Sequence, residues 1–176
     1  TGLPILEIHY PRRCRRANLR SSFFHWVKLM EQSLTLQNFL PYRCANLAEK
    51  ISVSLSRVYV ERFGINIAEW RIIATLGETG ELHAKEIARQ TNMDKVRVSR
   101  AVGSLESKSL LQRRPDEGDS RASLLSLTAI GKELYGELVP QALDWERALV
   151  DQLTAAERDT FFRILGKLES RLDGAD

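Results

Sequence analysis

The stretch from Glu81 to Thr128 limits the possible folds more than any other part of the chain. It reads ELHAKEIARQ TNMDKVRVSR AVGSLESKSL LQRRPDEGDS RASLLSLT. Leu82, Ile87 and Ala88 mark a short helix, with His83 as a mediocre residue at the expected N-cap. Residues 94–109 form the next helix, because Val98, Ala101, Val102 and Leu105 recur at i, i+3, i+4 and i+7 and define one buried side. Leu110 to Arg114 then reads as a strand, and Pro115-Asp-Glu-Gly-Asp119 as a turn. Ser123 to Leu127 reads as a second strand with Leu125 and Leu127 in phase. Two helices a short turn apart, followed by a hairpin, predict a helix-turn-helix with a β-hairpin wing.

The outer side of the second helix carries Val96, Arg100, Gly103, Ser104 and Ser107, with Arg97 and Ser99 flanking it and Lys95 at its start. This face is small and polar and bears two arginines, whereas an ordinary solvated helix is more often dressed with Glu and Lys pairs. A low, cationic face placed just after a turn suits the major groove of double-stranded DNA. Arg113, Arg114 and Arg121 add cations to the hairpin. A module of this kind used only for protein interaction or dimerisation is the alternative.

Helices flank the module on both sides. Over 41–63, Leu47, Ile51, Leu55, Val58 and Phe63 make one apolar stripe, Pro41 suits the first turn, and Gly64 suits the end. Asn66-Ile-Ala-Glu69 resembles a capping box and opens a helix with Trp70, Ile73, Ala74 and Leu76 inward, which Gly77 to Gly80 break. Thr128 caps a long helix to about Val150, with Leu134, Leu138, Leu143 and Leu149 as its apolar members, and Pro140 is expected to kink or break it. Thr154-Ala-Ala-Glu157 caps the last helix, which carries Phe161, Ile164, Leu165, Leu168 and Leu172. The end helices are too long and apolar for one small module to cover, so a two-fold homodimer is expected, with an intramolecular helical layer in a monomer as the alternative.

The expected class is mostly α with an α+β module: a winged helix-turn-helix over about 66–127 and dimerisation helices over about 41–63 and 128–172. Residues 1–39 are expected to be an extension, poorly ordered or derived from upstream sequence, with Met30 a plausible start. A basic arm touching phosphates is the sharper reading of its cations. Six of the 26 Lys and Arg lie in residues 1–30 with one of the 23 acids, so the other residues hold 20 bases against 22 acids. The basic pI therefore says nothing about the folded body, and any DNA argument must rest on placed residues. His9, His25 and His83 are scattered, and no metal-spaced cluster, phosphate loop or nucleophile motif occurs, which argues against an enzyme and against a cofactor. No apolar run approaches the ~20 residues of a membrane span. Two cysteines make no disulfide framework and point to the cytoplasm.

From Leu40 to Leu172 the chain resembles the MarR family, the multiple-antibiotic-resistance type of winged-helix regulators. The resemblance is carried by Asp119-Ser-Arg121-Ala-Ser-Leu-Leu-Ser-Leu-Thr128-Ala-Ile-Gly131, which fits the family's D-x-R wing followed by an alternating strand and L-T-x-x-G. Asp94-Lys-Val-Arg-Val-Ser-Arg-Ala-Val is similar to its recognition helix. The resemblance implies a homodimer on a pseudo-palindromic operator, usually a repressor, released by a small phenolic or aromatic-acid ligand or by an oxidant. By position, Arg121 would enter the minor groove with Asp119 holding it, while Lys95, Arg97, Ser99 and Arg100 would serve the recognition helix. Arg43 and Trp70 are the candidates to line the effector cavity; an interface ion pair and plain core packing are their respective alternatives. Cys44 falls roughly where peroxide-sensing members keep a reactive thiol, against an inert cysteine as the alternative.

Overall fold

The structure, a computed structural model, describes residues 34–116, 118 and 122–174. Asp119, Arg121 and the cationic N-terminal segment lie outside the described residues. The chain divides into two compact units, Thr1–Asn46 and Leu47–Asp176. Among the described residues of the first, a 3-10 turn covers Leu36–Asn38 and a helix begins at Leu40, with Arg43 and Cys44 exposed.

The helices are α1 (Leu40–Phe63), α2 (Ile67–Thr79), α3 (Ala84–Thr91), α4 (Lys95–Ser107), α5 (Ala129–Val150) and α6 (Ala155–Asp173). Three short strands, β1 (Leu82–His83), β2 (Leu111–Pro115) and β3 (Ser123–Leu127), form an antiparallel sheet with β3 in the middle. Leu82 pairs with Leu125 on one side of β3, while Leu111 to Pro115 pair with Leu127 to Ser123 on the other. The fold is therefore mostly α with a small sheet, in the predicted order of elements except for β1, which the sequence reading did not expect.

Local chemistry sets most boundaries. Asn66 Oδ1 accepts the N–H groups of Ala68 and Glu69 at 2.9 and 3.0 Å, and Glu69 Oε2 accepts that of Asn66 at 2.7 Å, completing the expected capping box. Asp94, Thr128 and Thr154 cap α4, α5 and α6 in turn. Asn92 turns left-handed at φ 51° and ends α3, so that only Met93 and Asp94 separate it from the next helix. Met93 is buried and holds the turn against the core. Val98, Ala101, Val102 and Leu105 form the buried side of α4, as their spacing predicts. They join Ile65, Ile72, Ile73, Leu76, Ile87, Leu125, Leu127 and Leu138 in one cluster. Each large side chain fully buried there is worth roughly 1.5–3 kcal/mol against its exposed state.

Four details differ from the sequence reading. Leu82 belongs to a strand and not to the short helix, because its backbone pairs with Leu125. Helix α2 continues through Gly77, whose missing Cβ makes room for the ring of Tyr135. Pro140 does not break α5, which is helical from Ala129 to Val150. The carbonyl that Pro140 leaves without a partner is that of Gly136, an exposed residue, so water can serve it. Finally Glu69, expected only as a cap, is 1% exposed, whereas Ala74 and Trp70 are half-buried.

Candidate nucleic-acid interface

Helix α4 owes its position to contacts on both sides. Its apolar side rests on α2 and α3, while Asp94 accepts the Arg97 N–H at 2.8 Å and fixes where the helix begins. Lys95, Val96, Arg97, Ser99 and Arg100 are all exposed around its first turns. Gly103 is exposed too, and a Cβ added to it would meet nothing within 4 Å.

Cations elsewhere in the module are mostly matched. Arg89 pairs with Glu86, Arg113 with Glu106 at 3.0 Å, Arg114 with Glu81 at 2.5 Å and Lys108 with Glu69 at 2.8 Å. Lys95, Arg97 and Arg100 make no ion pair among the described residues. Two concavities flank these three cations. One, of about 460 Å³, lies toward the start of α2 and is lined by Asn66, Ala68, Asp94, Val96, Arg97, Arg100, Ala101 and Ser104. The other, of about 230 Å³, lies toward α3 and the wing, with Lys85, Lys95, Ser99 and Arg113 around the apolar floor of Ala84, Val98 and Val102. Positive charge thus runs across α4 from both sides, over a surface low enough for a close approach.

The sequence reading placed Ser104 on this outer surface. The structure puts it half-buried, with Oγ donating to Glu69 Oε1 at 2.5 Å. Arg113 and Arg114 do lie on the hairpin, yet both guanidiniums meet carboxylates that the sequence reading did not assign to them. Trp70 stacks on Tyr59 with ring centroids 5.6 Å apart, against a Tyr59 hydroxyl that burial pushes up to about 12. Arg43 is exposed and belongs to the other unit.

Two working residues escaped the sequence reading. His83 caps nothing with its ring; Nδ1 lies 3.1 Å from the Ser123 carbonyl and Nε2 3.1 Å from Asp116 Oδ2, tying β1 to the base of the wing. Glu69 holds Lys108 Nζ at 2.8 and 2.9 Å, and that same ammonium donates to the Gly64 carbonyl. Burial pushes the Glu69 carboxyl up, but hydrogen bonds from Lys108, Ser104 and the Asn66 N–H, with the Lys108 charge, hold it below its ordinary 4.5. A carboxyl lowered on folding stabilises the fold above its unfolded value and loses that contribution as pH falls through the folded value. Thermal midpoints measured from neutral pH to below 4.5 should therefore drop in the acid range, and drop less in Glu69→Gln. Equal acid sensitivity in the two proteins would contradict this.

Residues 63–122 match the model of the MarR family. The chain is similar to a MarR/EmrR family transcriptional regulator from Acinetobacter sp. ADP1, with 31% identity, a TM-score of 0.72, and coverage of 80% of this chain and 99% of that one. It is 27% identical over 133 residues to the transcriptional repressor MprA of Escherichia coli, covering 74% of each. BpsR of Bordetella bronchiseptica, whose DNA binding is regulated by 6-hydroxynicotinic acid, shares the fold at a TM-score of 0.61 and 22% identity, over 72% of this chain and 98% of that one.

Proposed function

This chain belongs to the MarR family of transcriptional regulators, and from that premise we propose that it binds a pseudo-palindromic DNA operator as a homodimer and represses transcription. The observation that carries this reading is the trio Lys95, Arg97 and Arg100, exposed over the first turns of α4 on the two flanks of its low outer surface, without acidic partners among the described residues. Arginine and lysine there serve guanine edges and phosphates alike, and Val96 offers a methyl surface to thymine. Ser99 serves a phosphate beside them. Asp119 and Arg121 take their minor-groove role from the resemblance of the D-x-R wing, with an arginine reading groove width more than base identity.

Homodimerisation is supported by the surfaces of α5 and α6. Leu143, Leu149, Phe161, Phe162, Ile164, Leu168 and Leu172 are all exposed on them, a density of apolar groups that a second copy would cover. A two-fold dimer would set two α4 helices about 34–36 Å apart, one DNA turn. The effector is a small aromatic acid or phenol, a class supported by the regulation of BpsR by 6-hydroxynicotinic acid. Arg43 and Trp70 are each carried from the sequence as separate candidates for effector contact, and the proposed regulator acts in the cytoplasm without cofactor or catalytic step.

The direct test is selection of duplexes from a randomised pool by the wild-type chain, followed by anisotropy titration of the selected duplex and a scrambled one. Selective retention with a two-fold symmetric consensus supports the reading; no retention at low salt favours an interaction module. A finer test uses Gly103. Gly103→Ala should stabilise the fold by up to about 1 kcal/mol, since the site is an exposed helix interior. It should also weaken operator binding, because the added methyl stands where the groove closes on the helix. Denaturant midpoints and titrations of one preparation check both halves, and unchanged DNA affinity would remove Gly103 from the interface.

A further inference from the structure

Glu69 is a buried charge that groove reading leaves unused. Its exposure of 1% keeps it from touching DNA. Its partners are Ser104 on α4, at 2.5 Å, and Lys108, the residue that ends α4, at 2.8 and 2.9 Å. Arg97, Arg100, Ser104 and Lys108 stand at i, i+3, i+7 and i+11, so they follow one stripe along the helix. One end of that stripe is fastened to Glu69 of α2, and the other carries Arg97 and Arg100, which make no ion pair among the described residues.

The apolar side of α4 cannot supply the same definition. Contacts among Val98, Ala101, Val102 and Leu105 are non-directional and tolerate small repacking. A carboxylate bound by a hydroxyl, an ammonium and a backbone N–H is directional. With side chains about 5 Å from the helix axis, a rotation of roughly 20° moves Ser104 Oγ by about 2 Å and breaks its bond. The same rotation carries the longer Arg97 and Arg100 further still. Stability alone does not account for the pair, because a buried ion pair often contributes no more than apolar residues of equal volume.

We infer that Glu69 is a positioning residue for sequence recognition: through Ser104 and Lys108 it sets the azimuth of α4, and so which base edges Arg97 and Arg100 meet. This rests on α4 being the DNA-reading helix. Glu69→Gln keeps the shape and the acceptor for Asn66 but removes the charge. It should lower the ratio of selected-duplex to scrambled-duplex affinity about tenfold, the scale of one misplaced bidentate base contact. Scrambled-duplex affinity should stay unchanged, and selection repeated with the variant should return an altered or degenerate consensus. An unchanged ratio and consensus overturn the inference even if the melting temperature falls, since that is the mark of a purely structural pair. If Glu69→Gln does not fold, Ser104→Ala, which leaves the ion pair in place, carries the test with an expected loss of about threefold in the ratio. A wild-type chain that draws no consensus from the pool defeats the underlying reading of α4 instead, and the two failures are told apart by that control.

Discussion

Arg100→Ala weakens operator binding by about 1–3 kcal/mol, or roughly 5- to 150-fold, and relaxes the preference at one base position in each half-site. Arg100 is the arginine closest to the middle of the exposed side of α4, opposite Leu105 and Val98. No carboxylate competes for its guanidinium among the described residues, so it comes to DNA without an ion pair to break. Lys95→Ala behaves differently under the same reading. A lysine that serves phosphates weakens all duplexes alike and reduces the salt dependence by about one phosphate contact. Titrating both variants on selected and scrambled duplexes at several salt concentrations separates the two roles. Arg100→Ala binding the selected duplex as tightly as the wild type would remove it from base reading.

Gly131→Ala costs about 1–3 kcal/mol of stability, against the usual direction for glycine replaced by alanine in a helix. Gly131 is buried in the first turn of α5, and a Cβ built on it runs into the backbone carbonyl of Leu110. A side chain could swing aside, but this carbonyl already accepts the Thr128 N–H at 3.1 Å. Thr128 Oγ1 also donates to the Ser109 carbonyl at 2.7 Å and accepts the Gly131 N–H at 3.0 Å. Making room for a methyl means parting these bonds together. Gly136→Ala in the same helix is the control, because a Cβ there meets nothing within 4 Å. Denaturant midpoints should move down for Gly131→Ala and slightly up for Gly136→Ala; a Gly131→Ala protein as stable as the wild type would sink the steric account.

Much of this is legible in the sequence. The caps at Asn66, Thr128 and Thr154 use neighbours within three residues, and the core side of α4 follows from a period of 3.6. What escaped lies across long stretches of chain. His83 was judged as a cap from its neighbours, while its ring works on Ser123, forty residues away. Ser104 was placed by angle alone, and angle does not show that α2 brings a carboxylate to that edge. A signal for Glu69 was nevertheless present. Glu69, Ile72, Ile73 and Leu76 stand at i, i+3, i+4 and i+7, so the acid sits on an apolar stripe, where charges are almost never buried unless paired. Lys108 follows Leu105 by three and falls beside the same seam. The sequence puts Arg113 and Arg114 on the hairpin but does not show the carboxylates they meet there, Glu106 seven residues away and Glu81 33 residues away.

The knot of bonds at Ser109, Leu110, Thr128 and Gly131 joins the end of the reading helix to the root of α5. Its mechanical consequence follows from length. The 22 residues of α5, at about 1.5 Å each, make a rod of roughly 33 Å rooted on that knot, its near half also packed on the core through Tyr135 and Leu138. A tilt of about five degrees at the pivot displaces the far end by roughly 3 Å, and a displacement of that size at the far end returns the same tilt to α4. Under the proposed reading of α4, such a rod would turn ångström-scale movement at its far end into a few degrees at the DNA-facing helix, the scale on which a side chain gains or loses a base edge.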